Sequence, residues 1–283
     1  MSACPSNLQV RGLRHAYGPA PVLEGIDLDV PAGRIVALVG PSGCGKTTLL
    51  HLCAGLLAHQ QGRIRHGFAH TALMFQQPRL LPWMSTLDNI ALGLKAQGVA
   101  RSERHRRARE AALALGLAAS VLAQFPAELS GGMQSRAALA RALVLQPDLL
   151  LMDEPFGALD VGLRGQLHQL LLARQAAQGM AVLLITHDLM EAVRLADTVL
   201  VMAAAPGRIV ARYEPPGAAL ARGDALVYRC IAELRQHPGV RAAFGLPGDA
   251  GTAAPENATG EGRWQPLAPG SHTPHPGPWA SRC

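Results

Sequence analysis

Lysine is almost missing from this chain of 283 residues: of 26 basic side chains only Lys46 and Lys95 are lysines, the rest arginine. Aromatic residues make up 4%, which argues against an extended platform for stacking single-stranded nucleic acid. The five cysteines (Cys4, Cys44, Cys53, Cys230 and Cys283) form no CxxC pair and no metal-ligand spacing. An odd number in a long chain argues against a disulfide framework. A long apolar run is also lacking. The longest uncharged apolar stretch, between Glu110 and Glu128, has 17 residues and contains Ser120, Gln124 and Pro126, short of the roughly 20 that a spanning helix needs. The first 30 residues carry Arg11, Arg14, Glu24, Asp27 and Asp29 with no apolar core of a secretory signal. These absences predict a soluble, cytosolic chain.

What is present is hydrophobic enough, at 49%, to bury a sizeable core. Leu8–Val10 and the alternating segment Val22–Val30 read as strands of an antiparallel edge sheet. Arg34–Val39, Asp148–Met152 and Ala181–Thr186 are short, nearly continuous apolar runs, the pattern of buried parallel strands. Helical patterns fall at Thr47–Leu57, Arg101–Leu117, Gly131–Leu145 and Gly162–Gln178. The alternation predicts an α/β fold around a mainly parallel sheet, with an antiparallel β edge subdomain and a helical insertion over about residues 88–145. Composition shifts near Pro206, so 213–245 reads as a C-terminal extension. Residues 246–283, with 7 Pro and 6 Gly and no apolar period, read as a disordered tail.

Two stretches carry chemistry. Gly40-Pro41-Ser42-Gly43-Cys44-Gly45-Lys46-Thr47 matches GxxxxGK[ST] and stands between a buried strand and a helix. Its glycines let backbone N–H groups converge on an anion at a helix N-terminus. Lys46 would reach the terminal phosphates as a compact charge, which fits a lysine surviving where arginine dominates, and the Thr47 hydroxyl would ligate Mg²⁺. The residues imply a bound nucleoside triphosphate. The second stretch, Leu149-Leu-Leu-Met-Asp-Glu154, is an apolar strand ending in adjacent carboxylates. Alternation along a strand would send them to opposite sides, leaving Asp153 for the metal and Glu154 to polarise an attacking water. Phosphoanhydride hydrolysis is the chemistry expected.

Leu129-Ser130-Gly131-Gly132-Met-Gln134, between those motifs, resembles the signature of the ATP-binding-cassette (ABC) ATPases. Tyr17 before the first cassette strands, Gln76 after Ala72-Leu-Met-Phe, Ala158-Leu-Asp160 and His187 after Val182–Thr186 follow the family order, and the resemblance spans residues 8–212. It implies that ATP and Mg²⁺ are the cofactors and that Tyr17 stacks on adenine. Gly40 to Thr48, including Thr48 itself, would hold the phosphates. Gln76 would sense the γ-phosphate and Mg²⁺, with Thr47 and Asp153 serving the metal. Glu154 would act as general base, with Lys46, Gln76 and His187 completing the catalytic set. Ser130, Gly131, Gly132, Gln134 and Asp160 would meet the ATP held by a second copy of the chain. Departures are Ser135 before Arg136, where the family has Gln, and Leu163-Arg164 after Asp160.

The stretch Met74–Ile90 looks like the branch of bacterial importers for nitrate, sulfonate or taurine and similar nutrients, and its Leu80, Leu81 and Trp83 would form a socket for a membrane subunit. The partners implied are a second copy, an integral-membrane permease and, indirectly, a substrate-binding protein, at the cytoplasmic face of the bacterial inner membrane. An export or cell-envelope system using the same cassette is the alternative. Nucleic acid is not expected: Arg101–Arg109 holds five arginines, but Glu103 sits among them, Glu110 follows at once and the net charge is only +6, so a solvated helix face is the simpler reading.

Overall fold

The computed structural model describes residues 7–157, 159–246 and 262–267. The chain opens with a hairpin, β1 (Asn7–Tyr17) and β2 (Ala20–Pro31), and continues through β3 (Ile35–Val39) to α1 (Lys46–Cys53). After α1 come β4 (Gln61–His66) and β5 (Thr71–Met74). Three helices follow: α2 (Thr86–Ala96), α3 (Arg101–Ala114) and α4 (Gly131–Leu143). The second half runs β6 (Leu149–Asp153), α5 (Val161–Gln178), β7 (Ala181–Thr186), α6 (Leu189–Leu195), β8 (Thr198–Ala203) and β9 (Arg208–Glu214). It closes with α7 (Asp224–Gln236), α8 (Pro238–Phe244) and β10 (Arg263–Trp264).

β2-β1-β4 form a small antiparallel sheet; β10-β9-β8-β3-β7-β6-β5 form a larger one, parallel from β8 to β5. The unbroken apolar runs are explained by burial on both faces. Ile35, Ala37 and Val39 of β3 join one core with Leu150, Met152, Val182 and Leu184 and the helices α2 to α7. Val36 and Leu38 point the other way, into a second core with α1 and the apolar faces of β1 and β2. Helix α1 is thereby wedged between the two sheets. It is shorter than its pattern predicted, because Gly55, at φ +71°, turns the chain away; Gly116, at the same φ, cuts α3 short in the same way.

The C-terminal region departs further from expectation. Val227, Cys230, Leu234 and Val240 of α7 and α8 are buried in the main core. Most of the tail lies outside the described residues, but Gly262–Leu267 does not have the disorder expected of it. Arg263 and Trp264 pair with Glu214 and Tyr213 of β9, and the Trp264 ring stacks on His237 with centroids 4.2 Å apart. A Pro/Gly count is blind to one indole with an open strand edge to bind. Among the described residues no helix is long and apolar enough to cross a membrane.

Candidate functional site

Parallel pairing sets where the site falls. Val39 is in register with Thr186, and Asp153 with Ile185, so the carboxyl ends of β3, β6 and β7 open on one crevice, the usual place for a ligand in such sheets. The phosphate loop, the carboxylate pair and His187 all leave the sheet there.

Two of the loop's three glycines answer to packing. A Cβ on Gly40 would collide with the Met202 carbonyl, and one on Gly45, at φ +95°, would sit 2.7 Å from Leu23. Lys46 is buried, and its ammonium donates to the carbonyls of Gly40 (2.7 Å) and Pro41 (2.9 Å). Its charge is thus held inside the loop by carbonyl groups that an anion could replace. Cys44 is packed beneath, its Sγ 3.7 Å from that ammonium, and burial pushes its thiol above the ordinary value. Ser42, Gly43 and Thr47 are exposed, Pro41 and Thr48 half-buried.

Thr47 Oγ1 donates to Asp153 Oδ2 at 2.8 Å. Asp153 is 3% exposed, and burial raises its pKa against the lowering effect of that hydrogen bond. Two hard oxygen donors at the mouth of an anion-binding loop suit Mg²⁺, which keeps several waters and takes few protein ligands. The under-compensated buried carboxylate is the observation that fits a cation.

Glu154 is placed by a different device from the one expected. The strand ends at Asp153, and Glu154 takes a left-handed φ of 45°, rare for a residue with a side chain and a local cost accepted at functional positions. Its amide still donates to the Ile185 carbonyl at 2.9 Å. A backbone kink, and not strand alternation, separates the two carboxylates. In this pose Glu154 Oε2 accepts from the Gln76 amide at 3.1 Å, and Oε1 lies 3.2 Å from His187 Nδ1. Behind His187, Thr186 Oγ1 accepts from the Asp188 amide at 3.0 Å, and Asp188 caps α6.

The remaining predicted residues lie apart from this group. Ser130 is the exposed N-cap of α4, accepting from Met133 N at 3.3 Å. Gly131 beside it has open space where a Cβ would stand, Gly132 accepts from Arg136, and Gln134 is turned inward onto the carbonyls of Pro126 and Leu129. Ser135, the departure from the family pattern, bonds back to the Gly131 carbonyl at 3.0 Å. Asp160 caps α5 through Leu163 N at 2.9 Å; Ala158 lies outside the described residues. Tyr17 ends β1, where the sequence reading had put it ahead of the strands. It is 55% exposed, edge-on to His15 at 5.0 Å. Of the apolar loop residues, Leu80 and Leu81 are half-buried and Trp83 is 72% exposed.

Sequence reasoning passed over Asn89, Arg141 and the buried pair His168–Glu191 (3.2 Å), whose His168 ring meets Phe156 edge-on at 4.7 Å. The signal available was chemical misfit: Asn89 before Ile90 and Ala91, and Arg141 between Ala140 and Ala142, are polar residues inside largely apolar helical stretches.

This arrangement of phosphate loop, carboxylate strand and capped Ser-Gly-Gly helix defines a nucleotide-hydrolysing cassette, and the chain belongs to the ABC transporter family. The family's model, described as ABC transporter, matches residues 23–157. The taurine import ATP-binding protein TauB of Chromobacterium violaceum is 47% identical over 211 residues, 72% of this chain and 80% of that protein. The aliphatic sulfonates import ATP-binding protein SsuB of Pseudomonas putida is 48% identical over 202 residues, 69% and 72% of the two chains. Among solved structures, the dimeric bacterial ABC transporter cassette MJ0796 superposes with a TM-score of 0.65 at 28% identity, over 69% of this chain and 93% of that one. The same cassette in a dimeric post-hydrolysis state with ADP and Pi gives 0.67 at 26% identity, over 76% and 99%. The chain is an ABC-type ATP hydrolase.

Proposed function

We propose that two copies of this chain close on two Mg-ATP and drive an importer permease for taurine, an aliphatic sulfonate or a similar small nutrient such as nitrate, at the cytoplasmic face of the bacterial inner membrane. The solute class is supported by the identity to the TauB and SsuB proteins. The observation that carries the chemistry is Glu154, kinked out of its strand and held between Gln76 and His187.

In this reading the γ-phosphate takes the Lys46 ammonium from the Gly40 and Pro41 carbonyls, and the loop amides and α1 N-terminus neutralise the rest of its charge. Mg²⁺, held by Thr47 and Asp153, would supply charge neutralisation across the terminal phosphates. Glu154 accepts a proton from the attacking water as general base. Gln76 fixes one carboxylate oxygen and His187 the other, so the base cannot rotate away. Tyr17, exposed at the end of β1, offers a face for the adenine ring. Ser130, Gly131 and Gly132, on an open helix N-terminus, meet the nucleotide of the second copy, with Asp160 at the same seam. Gln134 acts from behind, holding the signature loop in shape. Trp83, with Leu80 and Leu81, receives the permease.

The test is capture of tagged Glu154→Gln chain from detergent-solubilised membranes in ATP, with partners identified by mass spectrometry. A multi-span permease with a neighbouring substrate-binding protein is expected, and purified vesicles should then take up taurine or a sulfonate. An export permease, or ribosomes, DNA or homodimer without a permease, would refute the importer reading.

A further inference from the structure

Between the loop that carries Gln76 and the helix that presents Ser130 there is a connection that none of these roles uses. Arg141 stands on α4, about three turns beyond Ser130. Its guanidinium crosses to the segment after β5, where one terminal nitrogen donates to the Arg79 carbonyl at 2.8 Å and the other to the Pro78 carbonyl at 2.7 Å. Burial pushes its pKa below the ordinary value, and its recorded hydrogen-bond partners are backbone carbonyls, not a carboxylate. A planar fork gripping two successive carbonyls fixes both distance and angle, which a single-point ammonium does not.

The backbone it grips is itself constrained. Arg79 has a left-handed φ of 45°, and its own guanidinium lies 4.2 Å above the Phe75 ring. Farther on, Asn89 of α2 accepts from Leu81 N at 2.7 Å and donates to the carbonyls of Leu81, Met84 and Ser85 at 3.1, 3.0 and 3.1 Å. The far part of the loop is therefore pinned to α2 and α4, while its near end, Gln76, touches the catalytic carboxylate.

We propose that Arg141 is a positioning residue that makes the Gln76 loop and α4 move as one body, so that a change at the Gln76–Glu154 contact reaches Ser130 as a displacement of its helix. The inference rests on the roles given above to Gln76 and Ser130. Two carbonyl bonds from a charged donor, once lost, remove the loop's direct tie to α4 and leave only the indirect route through Asn89 and α2, without touching nucleotide, phosphate loop or Glu154.

The test is a mutant cycle on purified full-length chain. Arg141→Lys, which keeps the charge but not the fork, should lower kcat for ATP hydrolysis about tenfold. KM for ATP should stay within about twofold, because no contact to nucleotide is lost, while the melting temperature of the ATP-free chain should fall by about 2–6 °C for the weakened grip on the two carbonyls. Combined with Gln76→Ala, the loss should be no larger than that of the worse single variant, because both break one linkage. A merely structural arginine would lower melting temperature with kcat per folded molecule unchanged, or its loss would multiply with that of Gln76→Ala. Parental kcat in Arg141→Lys, or multiplying losses, would overturn the proposal. Arg141→Met is the harsher variant; should it fail to fold, the lysine cycle decides alone. Ser130→Arg, run alongside, separates the two levels. Parental turnover there sinks the shared site and this inference with it. Abolished turnover there, with parental turnover in Arg141→Lys, sinks this inference only.

Discussion

Two groups of polar residues in the cassette are built on opposite plans. At the carboxyl ends of β3, β6 and β7 the functional groups hold one another: Lys46 its own loop, Thr47 Asp153, and Gln76 and His187 the two oxygens of Glu154. At the N-termini of α4 and α5 they do not. Ser130 and Asp160 each spend one bond on capping their own helix, and the rest of their hydrogen-bonding capacity faces outward. A site that must bind and act is held in shape before its ligand arrives. A surface that must meet another molecule is left open with its backbone already fixed. Capping does both at once, since it orders the helix terminus and leaves its amides pointing to solvent.

The sharpest way to break this comparison is Glu154→Gln. It leaves both neighbours a partner and removes the proposed base, so turnover should fall by about 10²–10⁴-fold with ATP affinity kept, measured by phosphate release and nucleotide titration. Next is Ser130→Arg, which touches no residue at the sheet ends. ATP binding by a single chain should be parental and hydrolysis lost by at least about 10²-fold; parental hydrolysis would mean the open end takes no part. Asp153→Asn sharpens the contrast by a stability reading. Burial raises the Asp153 pKa, so the folded chain keeps that proton to higher pH than the unfolded one. Stability therefore falls as pH rises through the interval between the two values. The asparagine variant should lose this slope and melt about 2–4 °C higher without ligand at neutral pH, yet gain less than the parent from Mg-ATP in a calorimeter. The smallest effect is expected from ending the chain at Leu246: turnover per folded molecule within about twofold, since β10 is far from the crevice in topology, but more aggregate in light scattering.

Much of the crevice was legible because its chemistry is written in contiguous residues. Eight successive positions make the phosphate loop, and two make the carboxylate pair. The parallel strands were legible because burial on both faces leaves no room for polar residues. What stayed hidden depends on backbone angles and on distant partners. No pattern in Asp153-Glu154 announces a left-handed Glu154, and its separation from Asp153 was credited to strand alternation instead. Arg141 meets Pro78 and Arg79 some sixty residues away, a distance at which pattern reading is silent. β8 and β9 were likewise overlooked. The tail misled for the opposite reason: its composition was read as a whole, while Trp264 acts as an individual.

That tryptophan sets a timetable. β9 leaves the ribosome with one edge bare, and the two residues that pair with its end are encoded roughly fifty residues later. At about 5–20 residues per second, the rest of the sheet waits several seconds with an adhesive margin before β10 arrives. The residues of the crevice are all made before that pairing forms, and for that interval any passing strand competes with β10 for the same place.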